Sequence, residues 1–245
     1  MPVIALQGIR GGVGATSITA GLAWALHRLG KGVLVIDCSA DNHLCLHFNT
    51  PFSLTAGWGR AELDGLAWHQ QALRYCEGLD LLPFGRLSVD ELPRWSARHQ
   101  QVSGRWIQYL NQLRDSGEYD WLLLDLPAAG MPGTEGWQEA ADALFCVLNA
   151  DANSHIRLHQ QPLPPGTRLL LNRFSAESRL QQDLHQYWRQ HLDALLPLAI
   201  HQDEAMAEAL AAKQPVGEYS TVSLAADELN ILAVWCLAHV TGSHP

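Results

Sequence analysis

Lysine is almost missing from this chain: Lys31 and Lys213 stand against fourteen arginines. Charge of any kind is scarce, at 17% of residues where soluble domains carry roughly 25%. No apolar run approaches the ~20 residues of a membrane-crossing helix. Met1–Leu6 is too short for a signal-peptide core, and glycine-rich sequence follows it at once, so a cytosolic protein is expected. Basic residues are outnumbered, 16 against 25 acidic, for a formal charge of −9. That balance argues against nucleic acid as a partner and against direct recruitment by anionic lipid. The five cysteines are odd in number and contain no CxxC, which favours buried free thiols over disulfides or a metal cluster.

What the chain has is apolar content, 47% over 245 residues. That is enough to bury a core, and one α/β domain over residues 1–245 is the simplest expectation. The predicted strands are Val3–Leu6, Val33–Ile36 ending at Asp37, Leu79–Pro83, Trp121–Leu124 ending at Asp125, Leu144–Leu148, Arg168–Leu171 and Leu198–Ile200. Most are apolar throughout, as central parallel strands are. Helical spacing (Ile18, Leu22, Ala25, Leu26, Leu29) follows Thr16 and Ser17, with Gly30 as the cap. Further helices are expected at Glu204–Lys213 and Ala225–His239. Strands alternating with helices predict a doubly wound, mostly parallel sheet flanked by helices. The last helix is apolar, yet it lacks the basic face of a membrane-surface helix and is expected to dock on the sheet.

Arg10-Gly11-Gly12-Val13-Gly14-Ala15-Thr16-Ser17 lies between the first strand and the first helix. Glycines there let backbone N–H groups wrap an anion, and the helix N-terminus adds its dipole. Thr16 stands where a hydroxyl can bind Mg²⁺. Asp37 and Asp125 each end an apolar strand, where a carboxylate needs a partner or a metal ion. A Mg²⁺-linked role is favoured for both, with helix capping as the alternative. Asn172 also ends a predicted strand, where contact with a ligand base is favoured and an Asx turn is the alternative.

These residues resemble the deviant Walker A pattern KGGxGK[ST][ST] of the MinD/ParA ATPases, and the likeness runs through nearly the whole chain. Leu34–Asp37 resembles that family's second-strand motif, Leu79–Pro83 its LxLLP strand, and Leu123–Pro127 its D-x-P Walker B. Leu170–Arg173 resembles the strand end whose Asn reads adenine, and Lys213–Val216 the closing G-x-P-V. The stretches Leu79–Gly85, Asp151–Pro164 and His201–Tyr219 resemble the family's bacterial cellulose-biosynthesis branch. The resemblance implies a P-loop NTPase fold, ATP and Mg²⁺ as cofactors, and a homodimer closed across ATP. It also implies a small companion subunit and other cellulose synthase subunits as partners, with the inner membrane reached only through them.

The departures bear on the chemistry. Ala15 stands at the family's phosphate-loop Lys, and Arg10 at its second, dimer-signature Lys. The family's D-x-D of the second strand reads Asp37-Cys38-Ser39, so the acid that the family uses in hydrolysis is replaced by Ser39. A phosphate-loop Lys offsets charge in the transition state, and Ala15 offers only its N–H. Binding is expected to survive through Gly11, Gly12, Val13, Gly14, Ala15, Thr16, Ser17 and Asn172. Arg10 is expected to bridge two subunits, Thr16, Asp37 and Asp125 to hold the metal, and Asp37 is the one catalytic candidate. An ATP-dimerised regulatory or assembly subunit with impaired hydrolysis is therefore the first reading. An active positioning ATPase and a nucleotide-free scaffold are the others.

His43/His47 and His155/His159 have helical i, i+4 spacing but no third ligand in view, so solvated or core histidines are expected. Trp24, Trp121 and Trp235 read as core. For Trp58, Trp68, Trp95 and Trp137, partner contact and local packing stand equal.

Overall fold

An apolar strand without alternation must be covered on both faces, and that requirement decides the architecture. A computed structural model describes residues 1–131 and 134–240, and of 100–105 and 135 the backbone alone. The chain begins β1 (Val3–Gly8), α1 (Ala15–Arg28), β2 (Val33–Asp37), α2 (Trp58–Asp64), β3 (Leu73–Cys76) and β4 (Leu79–Leu82). It continues α3 (Leu92–Ser116), β5 (Trp121–Asp125), α4 (Glu135–Ala140), β6 (Ala143–Asn149) and α5 (Ala152–Gln160). The remainder is β7 (Arg168–Phe174), α6 (Arg179–His191), β8 (Leu195–His201), α7 (Ala205–Ala211), α8 (Val216–Tyr219) and α9 (Leu224–His239).

The strands form one eight-stranded sheet in the order β3-β4-β2-β5-β1-β6-β7-β8. Every pair is parallel except β3 with β4. Side chains alternate across it and build two cores. Ile4, Leu6, Val33, Val35 and Leu123 face one layer with α1 and α9. Val3, Ala5, Leu34, Ile36, Leu122 and Leu124 face the other, with Trp58, Trp106 and Trp137. β1 lies between β5 and β6, and the chain leaves it toward β2 on one side and later fills β6 to β8 on the other. The crevice at such a switch point opens over the carboxyl ends of the strands. Here those ends are Gly8, Asp37 and Asp125.

Several boundaries differ from expectation. β8 starts at Leu195 rather than Leu198, and α7 ends at Ala211, short of Lys213, which adopts a left-handed φ of +58°. β7 runs on to Phe174, so Asn172 lies inside the strand, opposite Asn149, instead of ending it. β3 has no signature in the sequence because it is a short, half-buried edge strand carrying Arg74, which pairs with Asp80 on β4 at 3.1 Å. Gly30 caps α1 as expected: at φ +77° its N–H reaches the His27 carbonyl at 2.8 Å. An alanine Cβ at Gly30 would meet nothing within 4 Å. Gly30→Ala should therefore cost conformational energy alone, about 1–2 kcal/mol, seen as a lower urea midpoint with an unchanged m-value.

The tryptophans resolve toward packing. Trp58 is wholly buried and Trp106 and Trp137 nearly so, with ring centroids 4.4 Å apart for Trp58–Trp106 and 4.3 Å for Trp106–Trp137. Trp95 stacks on His99 at 4.6 Å, and Trp68 packs on Tyr109 at 4.9 Å. All five cysteines are free; four are buried and Cys76 is half-buried. α9 docks on the sheet through Leu229, Leu232, Ala233 and Cys236. No described helix is long and apolar enough to cross a membrane.

Candidate functional site

β1 stops at Gly8, and the loop to α1 folds tightly upon itself. A Cβ on Gly8 would stand 2.5 Å from the Arg10 carbonyl oxygen and 2.6 Å from Val13 Cγ2. Gly12 and Gly14 hold φ values of +78° and +94°, and the space before Gly11 and Gly12 is open. α1 has Gly14 as its N-cap, with no side chain bonded to its first amides and no acid in its first turn. By contrast, Asp151, Ser178 and Ser223 cap α5, α6 and α9. The first N–H groups of α1 are thus left to an external acceptor, at the positive end of the helix dipole. Arg10 to Ser17 all line one cavity of about 860 Å³, together with Ser39, Asp41, Trp95, His99 and Arg173. An anion fits that cradle.

Asp37 and Asp125 end adjacent strands and pair in register. Asp37 accepts hydrogen bonds from the N–H groups of Ser39 at 2.9 Å and Leu44 at 3.0 Å. The Thr19 hydroxyl bonds the Ala15 carbonyl at 3.0 Å and reaches Asp125 Oδ1 at 3.4 Å. Burial pushes the Asp125 carboxyl up to about 7, against hydrogen bonds from Thr16 and Thr19. Burial, then the charge of Asp125, raises Asp37 well above the ordinary carboxylate range. Two buried carboxylates and the Thr16 hydroxyl make an all-oxygen donor set, which suits a hard divalent cation such as Mg²⁺.

Asn172 is nearly fully buried, and its Nδ2 donates to the Val13 carbonyl at 2.7 Å. A Cβ on Gly14 would sit 2.5 Å from that nitrogen, so β7 and the loop are fitted to each other. Arg10 turns toward its own chain: Nη2 meets Asp151 at 2.6 Å and Nη1 the Gly11 carbonyl at 3.1 Å. The loop residues Arg10 to Ser17 line the cavity, with Arg10 engaged in cis, whereas Asp37, Asp125 and Asn172 are buried beside the loop and outside that lining.

With this geometry in view, residues 1–237 match the family described as cellulose biosynthesis protein BcsQ. The BcsQ protein of Escherichia coli K12 is 49% identical over 245 residues, covering 99% of this chain and 96% of that protein. The chain belongs to the BcsQ family. It is therefore a cellulose biosynthesis protein built on the MinD/ParA fold. Among solved structures, the MinC:MinD cell division complex of Aquifex aeolicus gives a TM-score of 0.77 at 19% identity, covering 100% of this chain and 99% of that one. The septum site-determining protein MinD of Pyrococcus horikoshii, solved with Mg-ADP, gives 0.75 at 20% identity, covering 98% of each chain.

The structure of this BcsQ family member also places residues that sequence reasoning passed over. Asp151 caps α5 through Ser154 N–H at 2.7 Å while pairing with Arg10. Its signal was an acid just past a predicted strand, three residues before a serine. Trp58 donates its indole N–H to the Asp37 carbonyl at 2.7 Å, a link across 21 residues that no local pattern announces. Lys213, over the Phe52 ring at 4.0 Å, donates to the Thr50 carbonyl at 2.6 Å. Each histidine pair is split between core and solvent: burial lowers His47, beside Ser17, to about 4, and half-buried His155 accepts from the Trp188 indole at 3.1 Å, while His43 and His159 are exposed.

Proposed function

We propose that this chain is an ATP-binding, ATP-dimerised regulatory or assembly subunit of a bacterial cellulose synthase secretion system, hydrolysing ATP slowly or not at all. One observation carries the reading: the cradle is intact in its backbone while positions 15 and 39 lack the charged groups that hydrolysis uses. The amides from Gly11 to Ser17 bind the phosphates, and Asn172, inside β7 and bonded to the loop at Val13, reads adenine. Thr16, Asp37 and Asp125 would hold Mg²⁺, which supplies positive charge to the triphosphate. Asp37 is the carboxylate nearest to a catalytic role, but without an acid at position 39 it works alone. A second copy of the chain closes across the nucleotide. A small companion subunit and the other synthase subunits take up the outer faces, and they bring a cytoplasmic protein to the inner membrane.

Arg10 must leave Asp151 to reach a partner's nucleotide, so dimerisation exchanges one ion pair for another. Breaking an interfacial charge contact costs roughly 2–5 kcal/mol, so Arg10→Ala should raise the dimer dissociation constant at least about tenfold in saturating Mg-ATP. ATP binding by the monomer should change far less. Sizing by light scattering reads the first and calorimetry the second; an unchanged dimer would sink the bridging role. Denaturing the purified protein and assaying released nucleotide tests the reading as a whole. No released nucleotide, with no thermal shift on adding Mg-ATP, would leave a bare scaffold. Steady phosphate release abolished by Asp37→Ala would make it an active ATPase instead.

A further inference from the structure

The cavity holds two guanidinium groups, Arg10 and Arg173, and no lysine among its lining residues. The two arginines are not equivalent. Arg10 is neutralised by Asp151 at 2.6 Å. Arg173 forms no ion pair among the described residues. Its Nη1 instead donates to the Gly12 carbonyl at 3.2 Å, in an exposed bond that joins residues 161 apart in sequence.

The backbone at Arg173 is unusual as well. It sits at φ +53°, in the left-handed region, although both neighbours belong to β7. A long side chain adopts that conformation only where the surroundings impose it, and such residues concentrate at ligand sites. The hydrogen bond of Asn172 to Val13 and the bond of Arg173 to Gly12 tie consecutive residues of β7 to consecutive residues of the glycine loop. The first fixes the loop. The second leaves a full positive charge resting on a neutral, exposed carbonyl at the loop's tip, where the space is open.

A phosphate chain entering that space offers anionic oxygens, which bind a guanidinium far better than a carbonyl does, in forked pairs. Giving up the Gly12 carbonyl is cheap, because an exposed acceptor turns to water. The geometry points to Arg173 as a phosphate-binding residue that supplies the cation position 15 lacks. This rests on the reading of the cavity as an ATP site. Ala15 contributes only its backbone there, and Arg10 is already paired, so Arg173 is the one guanidinium of the cavity free of a carboxylate.

The test is equilibrium binding by calorimetry of Mg-ATP and of AMP to the full chain, with wild type, Arg173→Ala, Arg173→Lys and Arg173→Gly. Arg173→Ala should weaken Mg-ATP about tenfold or more, the scale of a lost charge-assisted contact, and leave AMP within about threefold. Arg173→Lys, keeping the charge, should fall between. Arg173→Gly should also lose Mg-ATP affinity, while the melting temperature without nucleotide holds or rises because glycine accepts the left-handed φ. Mg-ATP binding within about threefold of wild type in Arg173→Ala overturns the proposal. So does an equal loss of AMP, which would place the guanidinium on the base. Wild type that binds no Mg-ATP overturns the ATP reading along with it, an outcome distinct from failure of the variant alone.

Discussion

Restoring a lysine at position 15 together with an aspartate at position 39 should raise steady-state phosphate release by roughly 100-fold or more over the parent chain, the scale of a recovered transition-state contact. Ala15 is half-buried and lines the cavity at the start of α1, and Ser39 lines it past the end of β2. Side chains built out from these positions enter the space before the glycine loop. Ala15→Lys would add the cation that offsets charge on the leaving phosphates. On the proposed ATP reading, Ser39→Asp would add an acid past the end of β2, beside the candidate Asp37. Groups that act as a unit contribute non-additively, so each single variant should fall well short of the pair. A double variant that binds Mg-ATP as wild type does, yet releases phosphate no faster, would show that the block lies elsewhere.

Asp125→Asn should stabilise the nucleotide-free protein by about 2–4 kcal/mol at pH 8, and make its stability fall less steeply between pH 5 and 8, the remaining slope coming from buried Asp37. The sign follows from proton counting. In the folded chain Asp125 keeps its proton up to about 7, and Asp37 is also raised. An unfolded chain has lost both protons by pH 5. The folded state binds more protons in that window, so wild-type stability falls as pH rises through it. Asparagine carries no charge to bury and escapes the cost. Mg²⁺ should oppose the same loss in wild type, since it compensates the ionised pair, and should do less for the variant. Urea midpoints across pH 5–8 read this directly. Wild-type and variant profiles that run parallel would contradict it.

The sheet and the loop were legible in the sequence for physical reasons. Strands covered on both faces must be apolar over most of their length, and Val3–Leu6, Val33–Ile36, Trp121–Leu124 and Ala143–Leu148 are. A backbone anion cradle must be glycine-rich at a strand–helix junction, and Gly8 to Gly14 is. The details that escaped belong to tertiary structure. Asn172 looked like a strand end because its polarity closes an apolar run, yet β7 continues under it, since its amide is satisfied by Val13. The in-cis partner of Arg10 lies 141 residues away. β3 gains its place from pairing with β4 rather than from its own pattern. The second core, where indoles stand in for aliphatic side chains, reads in sequence only as tryptophans scattered through irregular segments.

That indole cluster has an optical consequence. Trp58 is hydrogen-bonded to the carbonyl of Asp37 and packs on Trp95, Trp106 and Trp137, and Trp95 itself borders the cavity. Rings this close exchange excitation energy, so a change at one is broadcast in the emission of all. The carbonyl that holds the Trp58 indole belongs to Asp37, the buried carboxylate at the end of β2. Through Trp58 the indole cluster therefore joins the cavity wall at Trp95 to the buried end of β2, and tryptophan emission should report a change at either.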